Sequence, residues 1–140
     1  MILLALLLSS VLLAIAAIHA YWGTGGPWPE KDAMALAHAV VGDGRNRMPP
    51  PWSCFAVAAA LVVVAAWPWL ILTHPENTLV VIGAVIIAGL FFVRGSAGYS
   101  PRWRARFRTE PFATRDARFY SPLCMALATG FMALLAQEMQ

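Results

Sequence analysis

The chain has 140 residues, 60% of them hydrophobic and only 12% charged, with a mean hydropathy of +0.66. Soluble domains carry roughly 25% charged residues, so the composition disfavours a soluble enzyme or carrier and favours an integral membrane protein. The net charge of +3 would suit nucleic acid. However, the positive charge is gathered in one connector between apolar runs, where anionic lipid headgroups are the nearer counterpart; membrane lipids, and no nucleic acid, are the expected partners.

In chain order, Ile2 to Trp22 reads as a first spanning helix (about 2–22), uncharged apart from the titratable His19 and long enough at 1.5 Å per residue to cross a core about 30 Å thick. It has no basic segment before it. Its apolar run from Ile2 to Ile18 is longer than the core of a usual signal peptide, so a retained helix is expected. Ser9, Ser10, Ala14 and Ala17 offer small surfaces for close packing. His19, Tyr21 and Trp22 make a polar, aromatic finish suited to an interface, and Gly23, Gly25, Gly26 and Pro27 end the helix.

Residues 29–41 predict a short interfacial amphipathic helix, with Ala33, Leu36, Ala37, Val40 and Val41 on one face and Lys31 and His38 opposite. Glu30 and Asp32 suit its positive N-terminal end, and Gly42 is placed to stop it. A stiff Pro49-Pro50-Pro51 run then leads into a second span (about 52–72), with Pro51 at its first position and Pro68 predicting a kink near the far end. Thr73 and Glu76 have capping-box spacing, which predicts a third span over 74–94 after a very tight turn. Ala84 and Ala88, flanked by Gly83 and Gly89, predict a small-residue packing stripe.

Seven of the nine arginines lie between Arg94 and Phe119. Arg102, Arg104, Arg106 and Arg108 alternate with Trp103, Ala105 and Phe107, a period of two that predicts an extended or interfacial segment. Ser121-Pro122 has the chemistry of an N-cap and first-turn proline, opening a fourth and shortest span over 120–138. The fold class expected is all-α: a single membrane domain, a four-helix transmembrane bundle with one short interfacial amphipathic helix. Cationic connectors resist translocation. The expected placement is therefore multi-pass in a bacterial inner membrane, with loops 23–51 and 95–119 cytoplasmic and both termini outside.

The stretch Leu12 to Pro29, LLAIAAIHAYWGTGGPWP, and the later run Arg118-Phe119-Tyr120-Ser121-Pro122-Leu123-Cys124 together resemble a small bacterial four-span integral membrane family of unknown function. The H-x-Y-W-x-x-G-G and Y-S-P-L-C patterns carry the likeness. It implies the membrane architecture and brings no activity, ligand or catalytic residue.

The expected topology gathers His19, Tyr21, Trp22, Trp28, Trp52, Tyr120 and Ser121 near the cytoplasmic leaflet as candidate ligand-binding residues, with Arg102, Arg104, Arg106 and Arg108 as candidates for anionic headgroups. Trp and Tyr also belong at interfaces for purely physical reasons. His19 is the candidate acid/base residue if the protein is an enzyme on a lipid-like substrate. The leading expectation is instead a non-catalytic protein that engages lipid, a hydrophobic small molecule, or a partner helix or second copy. His19, His38, Cys54 and Cys124 form only a weak metal set, lacking any standard ligand spacing, and no cofactor is expected. The span interiors carry no Asp, Glu, Lys or Arg, which disfavours a proton-coupled transporter.

Overall fold

The computed structural model describes residues 1–139. Their helices are α1 (Ile2–Gly23), α2 (Ala33–Val40), α3 (Pro51–Thr73), α4 (Thr78–Ala97), α5 (Pro101–Arg106), α6 (Phe112–Arg115), a π-helical turn (Asp116–Tyr120) and α7 (Ser121–Glu138). Four helices are long and apolar enough to cross a membrane: α1, α3, α4 and the continuous run from Phe112 to Glu138. The shortest, α4 with 20 residues, still extends about 30 Å at 1.5 Å per residue, the thickness of a bilayer core.

The bundle is built as two pairs. α1 lies along α3 and α4 along α7, and the pairs meet over a core of Leu8, Leu12, Ile71, Ala84, Phe131 and Leu134. Phe91 and Phe131 stack there with ring centroids 6.4 Å apart. Within α1–α3 the buried Ser9 hydroxyl donates to the Ala65 carbonyl at 2.7 Å, a cross-helix bond made possible by the small side chain. Between α3 and α4, the Trp67 indole donates to the Val80 carbonyl at 3.0 Å while its ring covers Gly83, where a Cβ would come within 2.1 Å of it. The outer surface is apolar: only 22–33% of the most hydrophobic window of each long helix is buried within the molecule. A water-soluble bundle would present polar faces there. The protein is a multi-pass membrane protein.

The short turn His74–Asn77, Met1 and the Glu138 end of α7 lie at one end of the bundle. The two long connections, 24–50 and 98–120, lie at the other, here called the loop end.

Several local expectations are corrected. The cap of α4 is Asn77, whose side chain accepts from the Leu79 amide at 2.9 Å. Thr73 instead closes α3, donating to Trp69 O at 2.8 Å. The third span therefore runs from Thr78 to Ala97 rather than 74–94. The interfacial helix is only Ala33–Val40, because Asp32 caps it through the Ala35 amide at 2.8 Å. Gly42 does end it, with φ at +70°. Of the four small residues proposed to pack α1, only Ser9 is buried; Ser10, Ala14 and Ala17 face outward.

The arginine alternation does not produce an extended segment. Pro101–Arg106 is helical, capped by the Ser100 hydroxyl at the Trp103 amide. Trp103 and Phe107 thereby come onto one face with ring centroids 4.3 Å apart. Pro122 does lie in the first turn of α7, but Ser121 is not its N-cap: no side chain caps that end, since helical backbone continues into it from Phe112. Pro122 lacks the N–H that would reach back four residues. The chain accommodates this with a π turn, in which Ser121 N–H bonds to Asp116 O.

Candidate functional site

The polar centre of the loop end is Asp116, only 2% exposed. A buried carboxylate has to be met by charge and hydrogen bonds, and two segments supply them. Arg94, in the last turn of α4, donates from Nη2 to Asp116 Oδ1 at 2.7 Å. Trp103, on α5, donates from Nε1 to Oδ2 at 2.9 Å. The Arg94 guanidinium also lies over the Trp103 ring, 4.5 Å from its centroid, a favourable cation–π placement. Its Nη1 reaches the buried Ser121 hydroxyl at 3.5 Å. Gly98 allows this convergence, because a Cβ there would stand 1.8 Å from Ser121 Oγ and 2.9 Å from Asp116 Oδ2. Beside the knot is a small cavity of about 130 Å³, bordered by Gly98, Trp103, Phe107 and Asp116, with Arg104 and Arg108 also lining it.

A second set of contacts locks the two connections together. Phe112 is buried against Gly42, and its ring neighbours Phe107 and Tyr120 at 6.0 and 5.9 Å. With φ at +70° and Phe112 Cδ1 at 2.3 Å from any added Cβ, position 42 admits only glycine without strain. The Tyr120 hydroxyl donates to Ala39 O at 3.0 Å. Arg115 pairs with Glu30, and the Thr109 amide reaches Gly42 O at 3.4 Å. Thus α2 is fastened to the arginine connector.

The residues singled out from sequence divide into separate neighbourhoods. His19 Nδ1 bonds Ile15 O in its own helix at 2.8 Å, and its ring meets Trp22 at 5.0 Å. Trp22 donates to Trp28 O at 2.8 Å, so His19, Trp22 and Trp28 form one local cluster closing the end of α1. Tyr21 packs over Gly26. Trp52 is 72% exposed. Tyr120 and Ser121 belong to the α2 clasp and the Asp116 knot respectively. His38 meets Asn46 Oδ1 at 2.5 Å, while Cys54 and Cys124 are free thiols, buried and half-buried. Among the described residues, no group of three or more His, Cys, Asp or Glu is placed to hold a metal ion.

Sequence reading missed Arg94, Trp103, Asp116, Phe112 and the Glu30–Arg115 pair. One signal was available for Asp116: it is one of only two acids, with Glu110, in a strongly basic stretch.

Six arginines of the connector therefore fall into two classes. Arg94 and Arg115 are committed to carboxylates. Arg102, Arg104, Arg106 and Arg108 are all exposed, and none makes an ion pair among the described residues. Trp28, Trp52, Tyr99 and Phe119 are exposed at the same end. Four exposed guanidiniums at the same end as these aromatic rings are chemically equipped to bind phosphate oxygens at the edge of an apolar phase.

No curated protein and no solved structure matches this chain. A family model does match, over residues 12–131, covering all four long helices in part or whole. The chain belongs to the family described as "Protein of unknown function (DUF3995)".

Proposed function

We propose that the protein resides in a bacterial inner membrane with its loop end in the cytoplasm and both termini outside, and that the loop end engages anionic lipid headgroups. The observation that carries this is the set of four exposed, unpaired arginines at 102, 104, 106 and 108. They sit on a connector fastened to the fold through Trp103, Phe112 and Asp116, so their charge is presented from the loop end. The backbone that carries them is already placed by the fold, which lowers the entropic cost of binding. Arginine suits the task because its planar fork pairs bidentately with phosphate.

The His19 acid/base alternative gains no support from the geometry, since one ring nitrogen is occupied by the helix backbone and the ring is packed on Trp22. The test uses purified protein with vesicles of phosphatidylcholine, with or without phosphatidylglycerol, and the variant with all four arginines replaced by glutamine. Wild type is expected to prefer phosphatidylglycerol, with the preference falling as salt rises and lost in the variant. A preference unaltered by both salt and the four substitutions contradicts the proposal.

A further inference from the structure

The segment from Val41 to Pro50, which joins α2 to α3, curls around an open cleft of about 660 Å³. Its apolar lining includes Met48, Pro49 and Pro50, and its polar lining is Asp43, Arg45 and Arg47. Pockets for small ligands run from about 300 to 1,000 Å³ and combine apolar walls with a few charged groups. The segment is braced along its length. Gly42 seats Phe112 at one end. His38 of α2 meets Asn46 Oδ1 at 2.5 Å, which steadies a non-glycine residue at φ +57°. Asp43 Oδ1 accepts the Arg45 amide at 3.0 Å, and the proline run from Pro49 stiffens the exit. The cleft is thus part of the fold.

Its charge is unbalanced. Asp43 Oδ2 lies 2.7 Å from Arg45 Nε, and the terminal nitrogens of that guanidinium carry four further N–H donors. Arg47 is exposed and has no ion-pair partner among the described residues. Two guanidiniums therefore face one carboxylate, and a concave surface concentrates the positive excess. A carboxylate ligand has two oxygens, which a single guanidinium fork satisfies. A phosphate has oxygens enough for two forks. It would fill only a small part of the space, and the remaining wall of Met48, Pro49 and Pro50 suits an apolar body.

We infer that this cleft binds a phosphate ester with an apolar body, the phosphate held by Arg45 and Arg47 and the body lying against Met48, Pro49 and Pro50. The site shares no residue with the headgroup surface at 102, 104, 106 and 108, and it goes beyond that reading. Two sources carry this chemistry: a membrane lipid ending in a phosphate, and a soluble phosphate monoester.

The test titrates purified protein in an uncharged detergent with phenyl phosphate, inorganic phosphate and phenol, read by calorimetry. Wild type is expected to bind phenyl phosphate about tenfold more tightly than either of the others, since each of those supplies only half of the recognition. Arg47→Gln should weaken phenyl phosphate by about tenfold, the scale of one charge-assisted contact. Met48→Trp narrows the cleft with its charge intact and should weaken binding as well. The four-arginine glutamine variant should bind as wild type does. An unchanged thermal midpoint in the two single variants establishes that the loss is not unfolding. Binding equal in wild type, Arg47→Gln and Met48→Trp overturns the site, as does loss only in the four-arginine variant or no binding by wild type. Inorganic phosphate held as tightly as phenyl phosphate overturns the apolar half of the assignment. Native mass spectrometry with phosphatidic acid then separates the sources. Weaker retention in Arg47→Gln identifies a lipid, and unchanged retention a soluble ester; the calorimetric loss supports the site in either case.

Discussion

Asp116 and His19 stand at the same end of the bundle and are satisfied in different ways. Asp116 draws Arg94 from α4 and Trp103 from α5, with Ser121 of α7 touching the same guanidinium. His19 is answered by a carbonyl four residues earlier and a ring three residues later. The first group cannot be met without tertiary structure, while the second is met by a helix in isolation. The contrast teaches that the loop end is organised by the acid hidden in the basic connector, whereas the more conspicuous histidine is a local trim on α1.

This difference can be broken experimentally, most severely at the knot. Arg94→Ala leaves a buried carboxylate with only the Trp103 donor, and is expected to cost about 3 kcal/mol, the lower end for breaking a buried pair because Arg94 is itself partly exposed. The readout is the midpoint of thermal unfolding in detergent. Gly42→Ala should cost about 2 kcal/mol by the same measurement, from the left-handed backbone and the Phe112 ring. Tyr120→Phe removes the donor to Ala39 O and should cost about 1 kcal/mol. It should also speed hydrogen exchange in α2, since that helix would lose a clasp to the connector. His19→Ala sharpens the contrast from the other side: its effect on the unfolding midpoint should stay below about 1 kcal/mol, with no change in the exchange of residues 94–121. A large loss there would mean that His19 holds more than its own helix.

Much of the architecture was legible. Runs of about 20 apolar residues can satisfy their backbone in lipid only as helices, so α1, α3 and α4 follow from hydropathy alone. The π turn before α7 was not legible. Ser-Pro reads as a helix start because the same missing N–H that suits a first turn also produces a bulge within a longer helix; only the preceding residues, Phe112 to Tyr120, decide which. The arginine alternation misled for a related reason. A period of two in a seven-residue stretch also places Trp103 and Phe107 four apart, which is helical spacing, and the Ser100–Pro101 cap settles the choice.

The site was harder to see. Arg115 and Glu30 are 85 residues apart, as are most partners in the clasp on a similar scale, and no local spacing encodes them. Gly42 was read as a helix stop, correctly, yet its second part as the seat for Phe112 depends on a residue far along the chain. By contrast, the exposed arginines 102, 104, 106 and 108 were visible as candidates from charge alone. What the fold adds is the separation of these from Arg94 and Arg115, whose charge is consumed internally.

The most direct measurement is the sidedness of residue 104. In a chain carrying Arg104→Cys with Cys54→Ala and Cys124→Ala, a membrane-impermeant maleimide applied to intact spheroplasts should leave residue 104 unlabelled, and should label it once the inner membrane is opened. Labelling before the membrane is opened would place the arginine connector on the outer side and contradict the account.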